Sequence, residues 1–284
     1  MDDSNPISTT SGAESSQLLE WYKTGNNYEN GIGVEQNYAK AVEWYRKAAS
    51  EGMPDAQNDL GLMYFNGTGV LKDFITAEFW WQKAADQGNA AAQYNMGNLY
   101  YASGAFPKND DEALKWFKKA ADQGYDMAQF NLATMYINGS GVFQDYEVAA
   151  YWCNKAAMQG QANAQLMLGI MYKRGQGVNR DFMAAYHWVE KAALQGLPAA
   201  QANLGEFYQE GIGVNIDRSK AAYWYGKAAD QGLEIARERL NSLNSPYNSD
   251  FTDALEIFTG PGGISESDKK LMGNALYNLN NIGK

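Results

Sequence analysis

At 284 residues the chain is long enough for two ordinary domains or one elongated array, and its 45% hydrophobic content lets it bury a core. A formal net charge of -10 argues against nucleic acid as the main partner, because phosphate attracts basic faces. A single cysteine, Cys153, excludes an intramolecular disulfide, and the lack of any apolar run of about 18 residues excludes a membrane-spanning helix.

The first stretch, MDDSNPISTTSGAESS, is polar and acidic, and residues 1–16 are expected to be disordered. It lacks the basic-then-apolar order of a signal peptide. A chain already trimmed of its signal would look the same, so a cytoplasmic and an exported location both stay open. Residues 17–34 carry Leu18, Trp21, Gly25 and Tyr28 at helical spacing and are expected to open with a first helix, A. The pattern then returns. Lys-Ala pairs begin at Lys47, Lys83, Lys119, Lys155, Lys191 and Lys227; tryptophans keep phase at 44, 80, 116, 152, 188 and 224; tyrosines at 28, 64, 100, 136, 172 and 208. Every step is 36 residues, with no insertion or deletion. A fixed period of this size marks a stacked repeat protein.

Each copy predicts a helix pair. In the second, Ala56, Leu60, Met63 and Tyr64 give helix A over 54–66 one apolar stripe. Gly61 sits on that stripe, where a missing side chain admits a neighbouring helix. NGTGV ends the helix, and Gly67 and Gly69 supply left-handed backbone. Helix B starts after an Asn or Asp suited to an N-cap: Asn37, Asp73, Asn109, Asp145, Asp181 and Asp217. It carries the tryptophan, expected in the core, and the Lys-Ala-Ala triplet, and it stops at a glycine such as Gly88. Copy three departs in its loop, ASGAFPKND, where a locally altered turn is expected. After Gly232, LEIARERLNSL supplies helix A of a seventh copy. Residues 17–243 thus form the array: six full repeats plus that helix. Residues 244–284 are irregular. Asp250 and Ala254 repeat the helix-B spacing, GPGG breaks the chain, and Ser265–Asp268 forms a capping box, so this segment is expected to be a helical cap. The alternative is that it folds back over the array and inhibits it.

Ala56, Leu60-Gly61, Tyr64, Gly67-Thr68-Gly69-Val70, Asp73, Ala77 and 80–88 together resemble the Sel1-like repeat, a relative of the tetratricopeptide repeat. The resemblance covers about residues 17–243 and points to a bacterial source. It implies an all-α, right-handed superhelical solenoid of antiparallel helix pairs, with the A helices lining a concave groove. It also implies an adaptor that holds partner proteins or peptides, without a catalytic residue, metal or cofactor.

The residues themselves offer little chemistry. The glycine loops follow helices rather than strands and recur, so they are turns and not phosphate cradles. His187 stands alone at a variable helix-B phase, without companions at metal-ligand spacing. Cys153 occupies the phase of Tyr45, Trp81, Phe117, Val189 and Tyr225 and is a packing residue. Ser267-Asp268-Lys269-Lys270 and Lys23-Thr24-Gly25 fit motifs of penicillin-recognising enzymes, but they lie at opposite ends of the chain. A hydrolase acting through Ser267 is the alternative that a labelled β-lactam would reveal.

A repeat array spends its recurrent positions on packing, so function is expected where copies vary. One such stripe on helix A lies about 200° around from Leu60 and Tyr64, at roughly 100° per residue. It carries Leu62, Phe65, Tyr94, Tyr101, Phe130, Ile137, Leu166 and Ile170, with Lys173 and Arg174 as a basic spot and Glu206 and Glu210 on an acidic rim. Contiguous exposed apolar side chains mark interaction sites, and aromatics are favoured there. The expected partner is a protein or peptide segment, and the free chain is expected to be a monomer. A homo-oligomer using the stripe as a self-interface is the remaining alternative, which light scattering would separate.

Overall fold

The computed structural model describes residues 12–101 and 104–244. Among these residues there are thirteen α-helices and no strand. They are α1 Gly12–Asn30, α2 Tyr38–Ser50, α3 Pro54–Asn66, α4 Phe74–Asp86, α5 Ala90–Tyr101, α6 Asp110–Asp122, α7 Asp126–Asn138, α8 Tyr146–Met158, α9 Ala162–Arg174, α10 Phe182–Leu194, α11 Pro198–Glu210, α12 Arg218–Asp230 and α13 Glu234–Leu243. Odd-numbered helices are the A helices and even-numbered ones the B helices, so the fold class is an all-α helical repeat solenoid. The chain divides into two compact units, Met1–Asp181 and Phe182–Lys284.

The helix boundaries follow local chemistry. The side chains of Asn37, Asp73, Asn109, Asp145 and Asp217 each accept a first-turn backbone N–H of the B helix that follows. The backbone N–H of the same cap also donates to the carbonyl of the in-phase tyrosine, as in Asp73 to Tyr64 at 2.9 Å. Copy three keeps this closure, Asn109 to Tyr100 at 2.9 Å, so its irregular loop still ends in register. At the second loop position Gly69, Gly141, Gly177 and Gly213 lie too close to the preceding B helix for any side chain, whereas copy three has Ala105 there. Gly177 has φ +68, and an added Cβ would lie 1.8 Å from the Tyr146 carbonyl oxygen, at the start of the preceding B helix.

The first unit contains α1 to α9. Its core differs from expectation by one residue. The fully buried ring of each pair is the residue after the tryptophan: Tyr45, Trp81 and Phe117 are at most 2% exposed, whereas Trp44 and Trp80 are half-buried. Trp116 and Trp152 are buried as well. The reason is the glycine on the A helix. A Cβ on Gly25, Gly61 or Gly97 would sit 2.5–2.7 Å from the facing ring of Tyr45, Trp81 or Phe117, so the missing side chain is the slot that ring fills. Copy four has Ala133 at the glycine phase and the small Cys153 at the ring phase, both fully buried. The larger A-helix residue of that copy is thus met by a smaller B-helix one. The in-phase tryptophan instead lies under the lysine three residues on, with Lys47 3.9 Å over Trp44 and Lys119 3.9 Å over Trp116.

A buried glutamine row links successive repeats. Gln57, Gln93, Gln129 and Gln165 donate to Ala49, Ala85, Ala121 and Ala157 carbonyls at the ends of the preceding B helices. Gln87, Gln123 and Gln159 then donate to the side-chain oxygens of Gln57, Gln93 and Gln129. Gln129→Leu removes two of these bonds at about 0.5–1.5 kcal/mol each and is expected to destabilise the chain by about 1–3 kcal/mol in denaturant unfolding.

The second unit contains α10 to α13. Tyr225 is buried against Gly205, where an added Cβ would be 2.8 Å from its ring, and its hydroxyl donates to Gln209 at 2.8 Å. Helix α13 closes the described array, with Arg218 donating to the Leu243 carbonyl at 2.9 Å. At the other end, α1 begins at Gly12, so residues 12–16 are helical where disorder was expected. The expected cap, including Asp250, Ala254 and Ser265–Asp268, lies outside the described residues.

Candidate functional site

The predicted stripe falls on the A helices. In the first unit, Leu62 is exposed, while Phe65, Tyr94, Tyr101, Phe130, Ile137, Leu166, Ile170 and Lys173 are half-buried and Arg174 is exposed. Glu206 and Glu210 lie on α11 of the second unit, half-buried and exposed respectively. Side-chain bonds join neighbouring A helices directly. Asn95 on α5 donates to Asn58 on α3 at 2.9 Å, and Asn131 on α7 donates to Asn98 on α5 at 3.2 Å.

The aromatics do not stand free in solvent. Phe65 packs 5.2 Å from Phe74 and 5.3 Å from Trp81, ring centre to ring centre. Tyr94 and Tyr101 both pack on Phe117, at 5.9 and 6.0 Å, and Tyr94 also meets Tyr125 at 5.1 Å. The glycine slot draws a B-helix ring up between the A-helix side chains, so the stripe flanks that ring and shares its surface with the core. Asn58, on the same stripe, is buried, because its carbonyl accepts the Trp81 indole N–H at 3.0 Å and its side chain is engaged by α5.

Electrostatics at the α1–α3 end are one-sided. The Tyr22 hydroxyl donates to Asp59 at 2.8 Å and the Tyr45 hydroxyl to Glu29 at 2.5 Å. Burial, reinforced by these carboxylates, pushes both phenols well above the usual tyrosine range. Burial also raises Asp59, against the lowering effect of the bonds from Tyr22 and Asn58.

Sequence reasoning missed a second apolar edge. Phe143 is 95% exposed and Leu71 89% exposed, both just after the Gly-Val of a loop. The signal was present: the same phase holds Glu35, Pro107, Asn179 and Asn215, so a large apolar residue there is anomalous.

Residues with reactive side chains are poorly placed for chemistry. His187 is exposed and lies against Trp188 at 6.0 Å. Lys23-Thr24-Gly25 is an ordinary turn of α1, with the Thr24 hydroxyl donating to the Glu20 carbonyl at 2.8 Å and Gly25 lying under Tyr45. Ser267 lies outside the described residues. Among the described residues no group of three or more His, Cys, Asp or Glu is arranged to hold a metal ion, and no helix is long and apolar enough to cross a membrane. A cleft of about 620 Å³ beside the irregular third loop is lined by Tyr100, Phe106, Lys108 and Asp110, the last two ion-paired at 2.8 Å. The Cys153 thiol is buried, donates to the Ala164 carbonyl at 3.1 Å, and is pushed up to about 12 by desolvation. Iodoacetamide at pH 8 is therefore expected to leave Cys153 unmodified in the folded chain and to label it only after unfolding, as read by mass spectrometry. Rapid labelling of the native chain would contradict this burial.

Comparison with known proteins agrees with this geometry. The sequence matches the Sel1 repeat over residues 22–53, 54–89, 90–125, 126–161, 162–197 and 198–233. Among solved structures, c5321 of uropathogenic Escherichia coli, described as a protective antigen displaying an SLR fold, is 37% identical with a TM-score of 0.74, covering 81% of this chain and 50% of its own. The present chain therefore spans half the length of that protein. A Sel1 repeat protein of Oxalobacter formigenes is 33% identical with a TM-score of 0.68, covering 77% of this chain and 88% of its own. The immunity protein PA5088 of Pseudomonas aeruginosa shares the fold alone, at 23% identity and a TM-score of 0.50, covering 75% of this chain and 81% of its own. No curated protein matches the chain. With the six matched segments, the glycine slots and the capped helix pairs all in one 36-residue register, the chain belongs to the Sel1 repeat family.

Proposed function

We propose that this chain is a non-catalytic scaffold that holds a segment of a partner protein against the A-helix face of its first unit. One observation carries the reading. Phe65, Tyr94, Tyr101 and Phe130 stand half-buried on neighbouring A helices, beside exposed Leu62. Three of these rings are already packed on core rings. Side chains ordered before binding lose little entropy on contact, and a few central aromatics carry most interface energy. The narrower form of the reading is regulation or neutralisation of one dedicated partner, a toxin or a signalling protein.

The test is capture of partner from the native cell by the parent chain, by two A-helix variants and by one loop variant. Phe65, Tyr94, Tyr101 and Phe130 changed together to serine are expected to abolish capture, at about 2 kcal/mol or more for each central aromatic. Because three of them also cover core rings, this variant is expected to melt earlier than the parent. Leu62→Asp touches an exposed position and is expected to keep the parent melting temperature while weakening capture. Full capture by both variants would overturn the A-helix reading. Loss of capture in Leu71→Ser/Phe143→Ser alone would move the contact to the loop edge.

A further inference from the structure

The A-helix face carries a second row, polar rather than apolar, that crosses four successive repeats. The Tyr22 hydroxyl on α1 donates to Asp59 Oδ2 on α3 at 2.8 Å. Asn58 Nδ2 donates to Asp59 Oδ1 at 3.0 Å, and Asn95 Nδ2 on α5 donates to Asn58 Oδ1 at 2.9 Å. Asn131 Nδ2 on α7 donates to Asn98 Oδ1 at 3.2 Å. All of these residues belong to the first unit. Asn95, Asn98 and Asn131 are half-buried, so one edge of each remains open to solvent.

Each of these amides is held at one end and spare at the other. Among the described residues, the oxygens of Asn95 and Asn131 and the nitrogen of Asn98 take no partner. A carboxamide pinned in this way presents a fixed acceptor or donor, which is what a peptide group needs. A helical ligand has already satisfied its peptide groups internally and gains nothing from such a row. An extended ligand has not. Packed helices lie about 8–10 Å apart. At about 3.3 Å per extended residue, that interval spans roughly three residues of ligand per repeat. The row ends at carboxylates. Asp59 and Asp55 lie on α3 and Glu29 on α1, and all three act on the Tyr22 hydroxyl with the same sign. Asp55 is fixed by Asn89, which donates to it at 2.8 Å.

We propose that the asparagine row holds the main chain of an extended, non-helical partner segment, with a basic residue of that segment seated at the Asp55–Asp59 end. The flanking rings Tyr94, Tyr101 and Phe65 then take its alternate side chains. This inference rests on the scaffold reading and adds the conformation and polarity of what is bound.

The probe is a library of random peptides of about 12 residues, long enough to cross four helices. It is displayed on phage and selected on the full chain. Selected peptides are synthesised and titrated by calorimetry against the parent, against Asn95→Leu/Asn98→Leu/Asn131→Leu, and against Leu62→Asp. Selected sequences are expected to carry Lys or Arg toward one end. Methylation of alternate backbone nitrogens and the triple asparagine variant are each expected to weaken binding about 30-fold or more. The methylated peptides keep the test intact if the variant folds poorly, since they leave the protein unchanged. Binders that tolerate backbone methylation and the asparagine variant, but fail with Leu62→Asp, overturn the polar row and leave the scaffold reading standing. Binders indifferent to every change overturn both.

Discussion

Phe117→Ala is expected to lower the stability of the chain by about 3–5 kcal/mol, the range for deleting a fully buried aromatic. Phe117 has no solvent exposure, and it lies between Tyr94 and Tyr101 over the bare backbone of Gly97. Alanine there empties the slot, and neighbours held on fixed helices collapse into it only in part. Trp80→Ala should cost clearly less, although tryptophan is the larger side chain. Trp80 is half-buried, with the Lys83 ammonium 5.4 Å over its ring. Denaturant unfolding followed by far-ultraviolet circular dichroism checks both. A larger loss in Trp80→Ala than in Phe117→Ala would overturn the assignment of the core phase.

The reverse perturbation should also be large. Gly97→Ala adds a Cβ 2.5 Å from the Phe117 ring, far inside ordinary contact. Alanine gains about 1 kcal/mol in helix propensity over glycine. Overpacking typically costs about 1–3 kcal/mol, and a ring wedged from both sides places this case at the upper end, so destabilisation wins. Copy four carries the natural solution, Ala133 with Cys153. Gly97→Ala combined with Phe117→Cys reproduces that pair. It is expected to be more stable than the sum of the single changes by about 1 kcal/mol or more, as contacting residues couple. Additive behaviour in the double-mutant cycle would sink the idea that a Cβ at the glycine position needs a smaller side chain opposite it.

The candidate site was legible in sequence to an uneven degree. Leu62 was placed on the exposed face by its phase relative to Leu60, and it is exposed. Phe65, Tyr94 and Tyr101 share that stripe, yet they touch Trp81 or Phe117. Helical phase gives a direction around one helix and says nothing of how deeply a ring on the next helix penetrates. Phe143 and Leu71 were passed over because they sit in a loop, where apolar periodicity carries no information. The asparagine row was present as Asn58, Asn95, Asn98 and Asn131. Its bonds join residues 33 and 37 apart, one repeat away but three residues short of register or one beyond it, so an in-phase alignment of the copies conceals them.

The sequence by itself determined what is local and repeated: the 36-residue period, the pairing of helices, the Asn and Asp caps and the left-handed glycine turns. Each of these is decided within a few residues by backbone strain, unpaired amides and apolar spacing. Only the tertiary structure decided which of two adjacent aromatics enters the core. Trp44 and Tyr45 are about 100° apart on one helix, and either can face inward on helical phase alone. Gly25, 20 residues earlier in the chain, settles it by leaving a slot that the Tyr45 ring fills, while Trp44 stays half-buried. Packing between helices is a contest of volumes across the pair, and that contest is resolved only when both helices are in place.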